Sequence, residues 1–182
     1  MGMYAIVNAT SRIVSTITEA DEEWASYWPP GTCILIDGIT PPPVTGWLYD
    51  DATATFGPNW PVELINAKGT VASAGTNARA TTLYSGVQYN STPTDRGDLA
   101  ARIMARDLAG DGPTDTRILR RKDGVYSAFV LDDDKALLQA MLARHTACDE
   151  VQQTAMNNIA TAVTNEDLAA LAVASNPTWP SL

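Results

Sequence analysis

The spacing of apolar positions changes along the chain, and the changes divide it. Residues 3–8 and 12–17 hold two short β-branched runs (Ile6 and Val7; Ile13, Val14 and Ile17) separated by Asn8-Ala9-Thr10-Ser11, which predicts a hairpin. Thr18-Glu19-Ala20-Asp21, followed by Glu22 and Glu23, has the form of a capped, acid-rich helix start. The short helix it predicts carries Trp24 and Trp28 at i, i+4 and is stopped by Pro29-Pro30. Cys33-Ile34-Leu35-Ile36 reads as a third strand, Pro41-Pro42-Pro43 as an extended connector, and Gly46 to Phe56 as a second small hairpin. Between 57 and 93 the pattern lapses. Gly, Ala, Ser, Thr and Asn dominate, with isolated anchors at Val62, Leu64, Ile65, Leu83, Val87 and Tyr89, and this predicts loop and short strand held in place by neighbouring chains.

From Thr94 a helical period sets in. Asp95 is placed to cap a helix with Leu99, Ala100, Ile103, Met104 and Leu108 on one arc, ending at Gly110-Asp111-Gly112-Pro113. Arg117-Ile118-Leu119-Arg120-Arg121 and Val125 to Val130 flank an Asp123-Gly124 turn, the strongest hairpin signal in the chain. Asp132-Asp133-Asp134 then opens a long helix at the end that favours acids. Within it Leu138, Met141, His145, Cys148, Gln152, Ala155, Ile159 and Ala162 follow a 3-4-3-4 spacing, a heptad seam suited to self-association. The same stripe, broadened by Leu137, Leu142 and Val151, also suits an intramolecular face packed on Ile103, Val125 and Phe129. Thr164 or Asn165 is placed to cap a last helix holding Leu168 and Leu171. The pattern predicts an α+β chain: a small β-rich module at 1–56 with one short helix, a loop-rich connector at 57–93, and a helix–hairpin–long helix module at 94–182.

Charge narrows the partners. The 182 residues carry 12 Lys and Arg against 21 Asp and Glu, a net charge of -9, and both halves are acidic. A nucleic-acid or anionic-lipid partner needs a basic face, so neither is expected. No run approaches the roughly 20 apolar residues of a membrane span, and membrane insertion is not expected. The start lacks a basic stretch before its apolar residues, which predicts synthesis in a cytoplasm without an export signal.

Candidate chemistry is sparse. His145 is the single histidine and lies three residues before Cys148, within reach on one helical face; a packing or register role competes with catalysis or metal binding. Asp132-Asp133-Asp134 lacks the glycine and spacing of a calcium loop, so helix capping accounts for it. Asp107, Asp111 and Asp115 read as solvated turn residues. Arg117, Arg120, Arg121 and Lys122 form the one basic cluster, which suits a charged strand edge or a contact to an acidic neighbour. Trp24, Trp28, Trp47 and Trp60 read as core in a chain with few other large side chains. No phosphate loop, metal signature or nucleophile elbow is present, so neither an enzyme nor a cofactor is expected.

The segments Tyr89 to Leu108, Arg117 to Val130 with its Lys122-Asp123-Gly124 turn, Leu131-Asp132-Asp133-Asp134 into Leu137 to His145, and Ile159 to Leu171 together resemble a domain of uncharacterised function in tailed-phage tail proteins. Ile118-Leu119-Arg120 stands where that family usually has a Trp before an Arg. Tyr4-Ala5-Ile6-Val7, with Leu35 to Gly38 and Gly46 to Asp50, resembles the small module preceding such domains and is similar to segments of tail-fibre assembly proteins. The resemblance implies a structural virion protein of the tail fibre or baseplate, or alternatively an assembly chaperone absent from the finished particle. It implies other tail proteins as partners and, from the symmetry of tails, a homotrimer through Leu138, Met141, His145, Cys148, Gln152, Ala155 and Ile159. It carries no catalytic residues.

Overall fold

Four consecutive buried residues, Tyr4 to Val7, mark β1 (Gly2–Val7) as a central strand. In the computed structural model, which describes residues 1–181, β1 lies between β2 (Val14–Ala20) and β3 (Cys33–Leu35), both antiparallel to it. Asn8 shapes the β1–β2 turn by accepting the amides of Thr10 and Ser11 on its side-chain oxygen. The short helix α1 (Glu22–Ala25) is capped by Asp21, whose carboxylate accepts the Trp24 amide. β4 (Leu48–Asp50) and β5 (Thr55–Gly57) form the second hairpin. Ala5, Val7, Val14, Ile36 and Trp47 make the core, with Ile17, Ile34, Ile39, Tyr49 and Phe56 packed against it.

Trp24 and Trp28 lie outside that core. They are 37 % and 39 % exposed, with ring centroids 5.7 Å apart. The four-residue helix contributes no buried residue of its own, Trp28 lies three residues beyond its end, the two rings cover each other, and the expectation that both are core is corrected. Trp47 alone of the four is buried.

The chain divides into two compact units, Met1–Ile65 and Asn66–Leu182. The expected loop-rich connector is replaced by ordered elements. Helix α2 (Trp60–Arg79) is followed by a hairpin of β6 (Thr81–Tyr84) and β7 (Val87–Asn90). Its glycines and hydroxyl residues hide the helical signal, but alanines favour the helix and Pro61 sits at its start, where no amide is missed. Ala67, Val71 and Gly75, spaced four apart, are its buried face. Small side chains there allow close approach: a Cβ on Gly75 would lie 2.6 Å from Gln152 Oε1 and 2.9 Å from Trp179. Ser85 and Gly86, both at positive φ, make the tight β6–β7 turn.

Helix α3 (Pro93–Ala109) is capped by Thr92, with Asp95 completing the reciprocal bond as the third helical residue, so Asp95 supports the cap instead of being it. Gly110, at φ 71°, ends the helix in the left-handed region. The hairpin of β8 (Arg117–Arg120) and β9 (Tyr126–Phe129) has the Asp123-Gly124 turn expected of it. Helix α4 (Leu131–Thr164) runs 34 residues, and α5 (Leu168–Ala174) is capped by Asp167, which accepts the Ala170 amide; Asn165 instead ends α4. Tyr89, Leu99, Ile103, Phe129, Leu137 and Met141 form the core joining β7, α3, β9 and α4.

Candidate functional site

Helix α4 packs on α3, β6 and β9 over its N-terminal part and on α5 over its C-terminal part. This uses up the heptad seam within one chain. Met141, Cys148, Ala155, Ile159 and Ala162 are buried, while Leu138 is half-buried against the core. The polar members are satisfied internally: His145 Nδ1 lies 2.9 Å from Asp149 Oδ2, and Gln152 Oε1 accepts from Arg79 Nη2 at 2.7 Å. The intramolecular alternative describes the stripe on Ile103 and Phe129, but Leu142 and Val125, which it also included, are exposed. A trimeric coil through these positions would require the chain's own core to open.

Between α4 and α5 runs an open groove of about 900 Å³, floored by small apolar side chains including Val151, Ala155, Ala162, Ala170, Val173 and Ala174. Val173 is 75 % exposed, and Leu168 is also exposed on α5. Glu150 and Asp167 stand at the rim, with Glu166 beside Asp167. From Thr146 to Leu182 the sequence has four acids (Asp149, Glu150, Glu166 and Asp167) and no Lys, Arg or His. The groove combines apolar surface with two lining carboxylates, Glu150 and Asp167, that form no ion pair among the described residues, while Asp149 is paired with Arg79 and His145.

The β8–β9 hairpin presents the opposite chemistry. Leu119 and Phe129 turn inward to the core, so strand alternation sends Ile118, Arg120, Tyr126 and Ala128 to the other face. Ile118 is 66 % exposed, and Tyr126 and Val125 are exposed beside it. Arg121 Nη2 pairs with Asp123 at 3.0 Å, and Lys122 Nζ donates to Thr81 Oγ1 at 2.7 Å. Arg120 forms no ion pair among the described residues. The basic cluster is thus an exposed ribbon with an apolar outer face.

Beneath the hairpin is a buried ionic network that the sequence reading missed. Asp134, fully buried, accepts from Arg102 Nε at 2.9 Å and Arg106 Nη1 at 2.7 Å. Arg106 is 4 % exposed; it also donates to Asp111 Oδ2 at 2.8 Å and to the carbonyls of Phe129 and Asp115. Asp111 receives Arg117 as well. Hydrogen bonds from Arg117 and then Arg106 hold the Asp111 carboxyl below its ordinary value. Burial pulls the Arg106 guanidinium down, but its bonds to Asp134 and Asp111 outweigh this and raise it. Capping therefore explains only part of the acidic run: Asp133 accepts the Val130 amide, while Asp134 points into the fold. Asp111 is likewise no solvated turn residue. Adjacent acids at a helix start look alike in sequence, and only the arginines of α3 decide which one turns inward.

His145 faces Asp149 and Cys148 is fully buried, so the two do not form a nucleophile and base. Among the described residues no group of three His, Cys, Asp or Glu side chains is placed to hold a metal, and no helix is long and apolar enough to cross a membrane. Comparison of the chain with protein-family models, curated proteins and solved structures gives no match. What the geometry offers is two exposed surfaces, one apolar and acidic, one apolar and basic.

Proposed function

We propose that the chain is a structural component of a bacteriophage tail, associated with the tail fibre or baseplate, and that it acts by protein–protein assembly without catalysis. The observation that carries the reading is the α4–α5 groove, about 900 Å³ of open, mostly small and apolar surface with Val173 standing out of it. Such a surface on a water-exposed helix pair suits a partner's side chains. The resemblance of the sequence segments from Tyr89 to Leu171 to a tail-protein domain supports the same reading. The protein would be made in the host cytoplasm and retained in the virion, with other tail proteins as its neighbours.

Quantitative mass spectrometry of purified particles from a phage encoding this chain tests it. A constant copy number per tail is the expected result. Absence from the particle, together with loss of fibres when the gene is deleted, would replace the reading with an assembly chaperone. Absence from particles that assemble normally without the gene would overturn both.

A further inference from the structure

Two faces of the second unit lack a covering element, and their chemistries are complementary. Of the four bases between Arg117 and Tyr126, Arg117 pairs with Asp111 and Arg121 with Asp123, which leaves Arg120 and Lys122 without an acidic partner among the described residues, and Ile118 and Tyr126 are exposed on the outer side. The groove is lined by the acids Glu150 and Asp167 and by no base, with Val173 exposed along it. We propose that the outer face of the β8–β9 hairpin of one copy docks into the α4–α5 groove of a second copy, so that the chain associates head to tail. The proposal rests on the assembly reading above and supplies one of its contacts.

Charge selects this pairing over the symmetric ones. At a net charge of -9, two copies repel unless a contact locally inverts the sign. Groove against groove sets acids against acids, and hairpin against hairpin sets bases against bases; both are disfavoured. Only hairpin against groove joins opposite charges, and it leaves a free groove and a free hairpin for the next copy. Within one chain the two faces are spaced along α4. The hairpin packs by Phe129 near Leu137 and Met141, whereas the groove begins at Glu150, about 14 Å beyond Met141 at 1.5 Å per residue, and continues past Thr161. The two faces are held apart on one helix.

Sedimentation of the full chain at rising concentration tests the proposal, with circular dichroism as a check on folding. At low ionic strength the wild type is expected to grow in mass with concentration. Raising the salt from about 0.1 M to about 1 M shortens the screening length from roughly 10 Å to roughly 3 Å and should reverse that growth. Arg120→Glu alone, and Glu150→Lys alone, should each sediment as a single chain. An equimolar mixture of these two variants should associate again, because each inverted face meets its complement. A wild type that stays a single chain at high micromolar concentration overturns the proposal, as does a multimer that neither variant affects. If that single chain is nevertheless present at constant copy number in tail particles, the assembly reading survives and the groove belongs to a different, basic partner.

Discussion

Replacing Arg106 by Met should cost the second unit about 3–5 kcal/mol, a large part of the stability of a domain this size. Arg106 spends its guanidinium on Asp111, Asp134 and the carbonyls of Phe129 and Asp115. Once it is gone, Asp134 stays buried with Arg102 Nε as its one partner, since Asp134 Oδ1 already has none. Met keeps most of the aliphatic volume, so the cost falls on the stranded carboxylate and two orphaned carbonyls rather than on a cavity. With a denaturant dependence of about 2 kcal/mol per molar urea, the midpoint should fall by about 2 M. Far-UV circular dichroism reports it, because α3, α4 and α5 all lie in this unit. Adding Asp134→Leu should recover part of the loss by removing the stranded charge. A fall of less than about 0.3 M would equal a surface pair and refute the claim that this network is shielded from water.

Three further outcomes follow from the packing. Gly75→Ala should destabilise by about 1–3 kcal/mol in thermal melts because its Cβ meets Gln152, Arg79 and Trp179, whereas Gly69→Ala, with open space around it in the same helix, should stabilise by about 0.5–1 kcal/mol. Trp47→Ala should cost on the order of 3–5 kcal/mol as a core truncation, and Trp24→Ala much less, read by urea denaturation followed through the remaining tryptophans. Because the Asp111 carboxyl is held below its ordinary 3.8, its contribution is present above about pH 4 and is lost as pH falls through the lowered value; Asp111→Asn should flatten that part of the acid-unfolding curve.

How much of this was legible in the sequence depended on whether the signal was local. Asp123-Gly124 marks its turn by backbone chemistry alone, and the span of α4 follows from an unbroken run free of Gly and Pro. The expected bounds, Asp132 to Ala162, differ from Leu131–Thr164 by one or two residues at each end. Helix α2 was not legible because its face is built from Ala67, Val71 and Gly75, residues whose burial creates close approach instead of a hydrophobic period. Ser85-Gly86, flanked by Leu83-Tyr84 and Val87, was a usable turn signal. The Asp134–Arg106–Asp111 network was hidden for a different reason. Its members are 28 residues apart at the extremes, and each one alone passes for a surface charge. The seam on α4 was visible, but periodicity says which face is covered and not whether another copy covers it.

The continuity of α4 has a mechanical consequence. Thirty-four residues of uninterrupted helix, without proline or glycine, contain none of the points at which helices usually bend sharply. Hairpin and groove are therefore carried on one stiff strut, and a pull on either is delivered to the other with little lost to flexing. In a row of copies joined end to end, the step from each to the next would be set by that strut, so spacing would be a property of the single molecule and would not drift with load.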